Sequence, residues 1–361
     1  MKANHPRKVL SVMVFATVVL AACAAPPSAA PKAAAPAAEA KPTEAPAAAA
    51  GAMPKVKVVL QWVVQSQFAG YFAAKDKGFY AEEGLDVEVV PGGPDVSNSQ
   101  MVAAGNAEFG VGWLPGKILA PREGGAKLVN IAQVFRSSGM QLTCRKDAGV
   151  NSPADFKGKT LGVWFFGNEY PFLSWMDKLG LKTTGGADGV KVLKQGFNVD
   201  PLLQKQAACI STMTYNEYWQ LIDAGMKPEQ LAVFRYEDQG VATLEDGLYA
   251  TEKSLADAKM ADKLARFVKA SIKGWDYAVQ NQAEAVKIVL KNDASGVQKE
   301  AHQTRMMGEI AKLVGTGKTG QLDMKAYERT VDTLMKGKSD PVITKKPSGA
   351  TTDKIFAAAQ K

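Results

Sequence analysis

The sequence predicts an α/β fold of two units, the second inserted into the first, with a helical C-terminal part. Three observations carry this. Short strand-like runs alternate with helix-like runs between residues 55 and 133, and again between 159 and 235; that spacing requires crossover connections and a mainly parallel sheet. One strand-like run, Gln141–Arg145, leaves the first unit, and another, Leu248–Ala250, returns to it. Beyond residue 260 only the three- and four-residue period of amphipathic helices remains.

In chain order, Lys55–Leu60 alternates Lys with Val, a strand with one buried face. Phe68–Lys77 reads as a helix closed by Gly78. Leu85–Val90 alternates Leu85, Val87 and Val89 with Asp86 and Glu88. A Pro-Gly-Gly-Pro turn follows, and Asp95 is placed to cap a helix over Val96–Ala104. Phe109–Gly112 and Lys127–Gln133 complete the first unit. Ser152 and Pro153 open a short helix before the second unit. That unit alternates strands Lys159–Val163, Val190–Gln195, Ala208–Ser211 and Leu231–Arg235 with helices Pro171–Leu179, Pro201–Gln206 and Tyr215–Ala224. The segments Arg136–Lys146 and Tyr236–Leu248 cross between units and are placed to act as a hinge. Met260–Gln280 then carries Leu264, Phe267, Val268, Ile272, Trp275 and Val279 on one face, a stripe that packs on a body and does not span a bilayer. Helices over Ala283–Lys291, Lys299–Val314 and Met324–Lys336 follow. The expected division is 54–143 with 248–337 for the first lobe, 144–247 for the second, and a weakly structured tail at 338–361.

The N-terminus has its own logic. Lys2, Arg7 and Lys8 precede the apolar run Val9–Leu20, which ends in Leu-Ala-Ala-Cys at Cys23. This is a secretory leader, expected over residues 1–22, with an apolar run too short for a hydrocarbon core of about 30 Å. Residues 24–53 are almost wholly Ala and Pro and cannot bury a core; they form an extended spacer. The formal charge of the whole chain is +8, and losing the three cations of the leader leaves about +5. So mild a balance, without a Lys/Arg cluster, argues against nucleic acid as a partner. A chain of 361 residues, 46% hydrophobic and 22% charged, is large enough for two cores. Of the remaining cysteines, Cys144 and Cys209 are expected to be buried free thiols.

Three strand-to-helix loops concentrate aromatic rings, amides and carboxylates: Gln61–Tyr71, Val163–Tyr170 and Thr212–Trp219. They lie at the carboxyl ends of predicted strands, where open α/β sheets place ligands. None contains Lys or Arg, which disfavours an anionic ligand and suits a flat, largely uncharged molecule. The consecutive aromatics Trp164, Phe165 and Phe166 cannot all face one side of a strand, so at least one points into the cleft or solvent. Stacking on a flat ring adds about 0.5–1.5 kcal/mol beyond area burial.

Catalytic motifs are thin. The only histidines are His5, in the leader, and His302, expected on a helix surface. No Gly-x-Ser-x-Gly and no metal-spaced Cys/His cluster occurs. Gly315–Gly320 reads Gly-Thr-Gly-Lys-Thr-Gly, but Lys312 stands where a phosphate loop needs its first glycine, and no strand precedes it. It is a helix-terminating turn. These features point away from an enzyme, a cofactor or a metal centre.

Gln61–Val87 (Q-W-V-V-Q-S-Q-F-A-G-Y-F-A-A-K-D-K-G-F-Y-A-E-E-G-L-D-V) resembles the opening of solute-binding proteins of ABC importers in the thiamine-pyrimidine, nitrate and taurine group. Met101–Gly112 and Ser152–Val163 resemble its second and third signatures, and the Leu-Ala-Ala-Cys ending resembles a bacterial lipoprotein signal. The resemblance implies a two-lobed periplasmic-binding-protein fold, type II-like, that closes on its ligand. It also implies acylation at Cys23, a lipid anchor on the extracytoplasmic face of the cell membrane, and a monomer that delivers solute to an ABC permease and its ATPase. The loops W-F-F-G-N-E-Y and T-Y-N-E-Y are similar to those of the vitamin-binding branch, which includes binders of a thiamine pyrimidine precursor and of riboflavin. The aromatic excess favours riboflavin, or a related heteroaromatic vitamin, over an aminopyrimidine. The expected ligand-binding residues are Trp62, Gln65, Trp113, Trp164, Phe165, Asn168, Glu169, Tyr170, Tyr215, Asn216 and Asp246. Pyrimidine-forming relatives of this fold carry a cysteine-rich motif and an active-site histidine. Here only Cys209 precedes Ser211, with no histidine nearby, which argues against a secreted pyrimidine-forming enzyme.

Overall fold

The computed structural model describes residues 53–335 and 341–361. The expected leader, the acylation expected at Cys23 and the Ala/Pro-rich segment up to residue 52 lie outside the described residues. From Ala52 onward the chain forms one compact unit built on two five-stranded sheets. The first contains β1 (Lys55–Val59), β2 (Asp86–Val90), β3 (Phe109–Gly112), β4 (Leu128–Gln133) and β10 (Gly247–Thr251) in the order β2-β1-β3-β10-β4. The second contains β5 (Met140–Arg145), β6 (Thr160–Val163), β7 (Lys191–Lys194), β8 (Cys209–Met213) and β9 (Leu231–Arg235) in the order β7-β6-β8-β5-β9. Each sheet defines a lobe.

The two orders match, and the reason is the inserted connectivity. β1 is parallel to β2 and β3, and β6 is parallel to β7 and β8, as helical crossovers require. The antiparallel strand between its neighbours is β10 in the first sheet and β5 in the second. Each is the strand on which the chain arrives from the other lobe. The alternation of Lys and Val in β1 is realised as exposed Lys55 and Lys57 against buried Val56 and Val58.

The core of the first lobe is built on a close helix crossing. Helix Ala258–Gln280 buries Leu264, Phe267, Val268 and Trp275, while Ile272 and Val279 are partly buried. Asp257 caps it by accepting the Met260 N–H at 2.8 Å. It crosses helix Ala69–Asp76 at Gly70 and Gly274. A Cβ on Gly274 would lie 2.3 Å from the Gly70 carbonyl oxygen, so neither helix admits a side chain there.

Three expectations are corrected. Asp95 does not cap the third helix; the helix is Asn98–Ala103 and starts after Ser97, because residues 91–97 run as an irregular turn. Cys144 and Cys209 are bonded to each other. They face one another directly in the antiparallel β5/β8 pair, a register that no spacing rule reveals across 65 residues. The tail is not loose over residues 341–361: Thr351 pairs with Asn130 on β4, Ile343 and Ala350 are buried, and helix Lys354–Ala359 packs on helix Ala258–Gln280. It covers a strand edge that would otherwise present unpaired backbone groups. Among the described residues no helix is long and apolar enough to cross a membrane.

Candidate functional site

A cavity of about 120 Å³ lies where the carboxyl ends of the parallel strands of both sheets converge. The first lobe supplies Gln61, Trp62, Gln65 and Gln67 after β1, Gly93, Pro94 and Val96 after β2, and Trp113 and Lys117 after β3. The second supplies Trp164, Phe166 and Asn168 after β6, Phe197 after β7, and Met213, Tyr215, Asn216 and Glu217 around the end of β8. This is where open parallel sheets leave strand ends and helix starts facing a crevice.

The wall is aromatic. Trp62 and Phe197 meet across the cleft with ring centroids 4.6 Å apart, and Trp164 lies 6.4 Å from Phe197. The Trp164 indole N–H donates to the Gly196 carbonyl at 3.1 Å, which fixes its ring. On the opposite rim the backbones touch: a Cβ on Gly167 would lie 2.7 Å from Gly116 Cα. Gly167 sits at φ 97 and Phe166 at φ 66, so this tight turn is held in the left-handed region, and Phe166 is left 76% exposed at the rim.

The polar groups are few and tied down. Glu217 is buried; its Oε2 accepts the Met213 N–H at 3.0 Å and its Oε1 accepts from Asn216 Nδ2 at 2.8 Å. Burial nevertheless pushes its carboxyl up to about 7. Gln65 Nε2 donates to Gln67 Oε1 at 2.6 Å, and Gln67 Nε2 donates to Asp246 Oδ2 at 2.7 Å. Asp246 is buried at φ 28 and pushed up to about 7, chiefly by desolvation. The Trp113 indole N–H lies beside this carboxyl and works against the rise. Burial lowers Lys117, which forms no ion pair with a described carboxylate.

Of the expected ligand residues, the structure brings Trp62, Gln65, Trp113, Trp164, Asn168, Tyr215 and Asn216 to the cavity. Four do not line it. Phe165 packs against the core instead; it lies past the end of β6, where the chain bends into the left-handed turn at Phe166 and Gly167. Glu169 turns back to accept the Gly167 N–H at 2.7 Å. Tyr170 is the first residue of helix Tyr170–Lys178 and packs with the smaller apolar cluster of the first lobe. Asp246 supports the cavity through Gln67. Asn168 reaches the cavity, but its Nδ2 is used on the Phe165 carbonyl at 2.9 Å. Reasoning from sequence missed Lys117 and Phe197, which lie outside the marked loops, and did not select Gln61, Gln67, Phe166, Met213 or Glu217 from loops it had marked. The absence of a cation from the site is also corrected: Lys117 passes over Gly112, where any side chain would collide with it. His302 is not a plain surface residue, since it bonds across the cleft to Asn216.

Two α/β lobes joined by two crossings, with a cavity at their facing strand ends, define a periplasmic-binding-type fold. The NMT1/THI5-like family profile matches residues 65–285, and the chain belongs to that family. It is 27% identical over 244 residues to a formylaminopyrimidine-binding protein from Halalkalibacterium halodurans, covering 67% of this chain and 71% of that protein. Among solved structures it is similar to the periplasmic aliphatic sulphonate binding protein SsuA from Escherichia coli, at TM-score 0.62 and 12% identity over 82% of this chain and 90% of that one. The desulfurization enzyme DSZB is similar at TM-score 0.57 and 13% identity, over 84% of this chain and 99% of that one. At such identities the structural likeness speaks for the fold alone, and this fold serves both binding proteins and an enzyme.

Proposed function

We propose that the protein is the solute-capturing component of an ABC importer and that its ligand is an aminopyrimidine of the thiamine-precursor class. The observation that carries this is Glu217: a buried carboxyl, held by the Met213 N–H and Asn216 and raised by burial, at the edge of a small aromatic cavity. Such a group accepts from an exocyclic amino N–H and, when protonated, donates to the neighbouring ring nitrogen. Trp62, Phe197 and Tyr215 supply ring faces, and Lys117 and the Gln61 and Gln65 amides supply donors for a carbonyl substituent. The name of the Halalkalibacterium halodurans relative supports the same ligand class.

Riboflavin, favoured by the aromatic content, now comes second. The inner cavity of about 120 Å³ lies below the roughly 300–1,000 Å³ typical of drug-sized ligands, so a flavin would have to fill the adjoining outer cavity of about 390 Å³ as well. The isoalloxazine and its ribityl chain demand more room than a single ring. Binding without chemistry belongs to the same proposal. Capture proceeds by lobe closure and delivery to a permease. Anchoring through Cys23 on the extracytoplasmic face completes it, supported by the leader sequence and by a disulfide of the kind that persists in oxidising compartments.

The test is calorimetric titration of residues 54–361 with formylaminopyrimidine and, separately, with riboflavin. One-to-one binding of the pyrimidine at micromolar affinity or better, weakened about tenfold or more by Glu217→Gln, supports the proposal. Binding of riboflavin alone transfers the assignment to the flavin. Conversion of the bound pyrimidine to another product would refute the binding-only role.

A further inference from the structure

We propose that His302 is a positioning residue of the ligand cleft: it reaches across from the first lobe to Asn216 and thereby fixes the carboxylate of Glu217. The inference rests on the reading of Glu217 as the ligand-facing acid.

His302 lies on helix Glu300–Val314, which packs with the helices of the first lobe, whereas Asn216 and Glu217 follow β8 in the second. His302 Nε2 is 2.9 Å from Asn216 Oδ1. The same oxygen accepts from Gln220 Nε2 at 3.1 Å. An amide oxygen only accepts, so His302 Nε2 carries the proton. With its oxygen held from both sides, Asn216 must turn Nδ2 towards Glu217 Oε1, which it meets at 2.8 Å. The Met213 N–H holds the other carboxylate oxygen. The carboxylate is therefore fixed at both oxygens, and the amide that holds one of them is braced from the other lobe by His302.

The imidazole is enclosed between the lobes, with Asp223 near its other edge but beyond hydrogen-bond reach. Its side chain is only 14% exposed, and Nδ1 lies 3.6 Å from Asp223 Oδ2. Arg305, one turn further along the same helix, pairs with Asp223 and lies 5.4 Å from the Trp219 ring centre, so the second lobe is gripped at three side chains. The ring edges an outer cavity of about 390 Å³ that shares Trp62, Gln65, Phe197, Asn216 and Glu217 with the inner one. Without the His302 N–H, Asn216 Oδ1 keeps only Gln220, on its own lobe, and the amide that holds Glu217 Oε1 is less tightly oriented. Ligand grip and lobe contact thus form one hydrogen-bonded unit.

Two isosteres separate this role from packing. A glutamine amide nitrogen reaches the position of Nε2, and an asparagine amide nitrogen reaches that of Nδ1. Dissociation of formylaminopyrimidine from the full chain is followed by stopped-flow tryptophan fluorescence, with melting temperature as the check on folding. His302→Gln is expected to dissociate within about twofold of the native rate. His302→Asn and His302→Leu are expected to dissociate about tenfold or more faster, with association little changed. Native dissociation from the Asn and Leu variants, or an equal loss in the Gln variant at unchanged melting temperature, overturns the proposal. If the native chain does not bind the pyrimidine, the ligand reading fails. The contact is then read from energy transfer between fluorophores at residues 187 and 360 without ligand. Wider separation in the Asn and Leu variants than in the native and Gln chains supports it, and equal separation in all four overturns it.

Discussion

Gln67 Nε2 donates to Asp246 Oδ2 at 2.7 Å, joining the cavity wall to the segment on which the chain returns from the second lobe. Asp246 occupies φ 28, a region that most residues avoid but Asn and Asp tolerate. Asp246→Ala leaves the buried Gln67 amide without its acceptor and is expected to cost about 1–3 kcal/mol in urea unfolding. Asp246→Asn keeps an acceptor and the local conformation, so its loss is expected to be markedly smaller. Equal losses in the two variants would remove the hydrogen bond as the cause.

Stability is expected to fall as pH rises from the ordinary carboxylate range to about 8. Burial pushes Glu217 and Asp246 up to about 7 and Glu245 up to about 8. In this window the folded chain binds more protons than the unfolded chain, so stability decreases with pH. The contribution is fully present below the unfolded carboxyl pKa and lost as pH rises through the folded values. Melting temperatures across the window provide the check. Glu245→Gln, which removes the titrating group while keeping an acceptor for one of the Gly139 and Met140 N–H groups, is expected to flatten the upper end. An unchanged slope in that variant would clear Glu245 of responsibility.

Gly116→Val is expected to hold the lobes apart. Its Cβ would already lie 3.1 Å from Gly167 Cα, and the larger side chain must displace that turn. The expected penalty is about 1–3 kcal/mol in the closed state, or roughly 5- to 150-fold in ligand affinity. The melting temperature without ligand should change little, because residue 116 is only partly buried. Native affinity in this variant would show that the two turns need not touch for binding.

The Cys144–Cys209 bond joins strands 65 residues apart. Losing a cross-link over such a span costs about 2–4 kcal/mol. The paired substitutions Cys144→Ala and Cys209→Ala are expected to lower stability by that order. Thiol titration of residues 54–361, denatured without reductant, should find no free cysteine. Two reactive thiols would return the chain to the unpaired state expected from its sequence.

Much of the lobe plan is legible because it is written in local periods. Val56 and Val58 alternate with lysines, Leu264 through Trp275 repeat at helical spacing, and the aromatic loops follow strand ends as the parallel sheet requires. What stayed hidden depends on register and return. The cysteine pairing needs the alignment of β5 with β8. Lys117 enters the cavity only because the helical segment Pro115–Leu119 lays its side chain over Gly112. Phe197 sits in a short polar turn with no period to mark it, yet it closes against Trp62 from the other lobe. Glu169 and Tyr170 had suitable chemistry but were taken by the start of their own helix.

The ordered tail fixes a frame of reference. Helix Lys354–Ala359 is seated on helix Ala258–Gln280, so anything attached at Gln360 travels with the first lobe. The exposed turn at Gly186–Asp188 belongs to the second. A donor dye at one and an acceptor at the other convert lobe separation into colour, and any closing of the cleft becomes an optical signal.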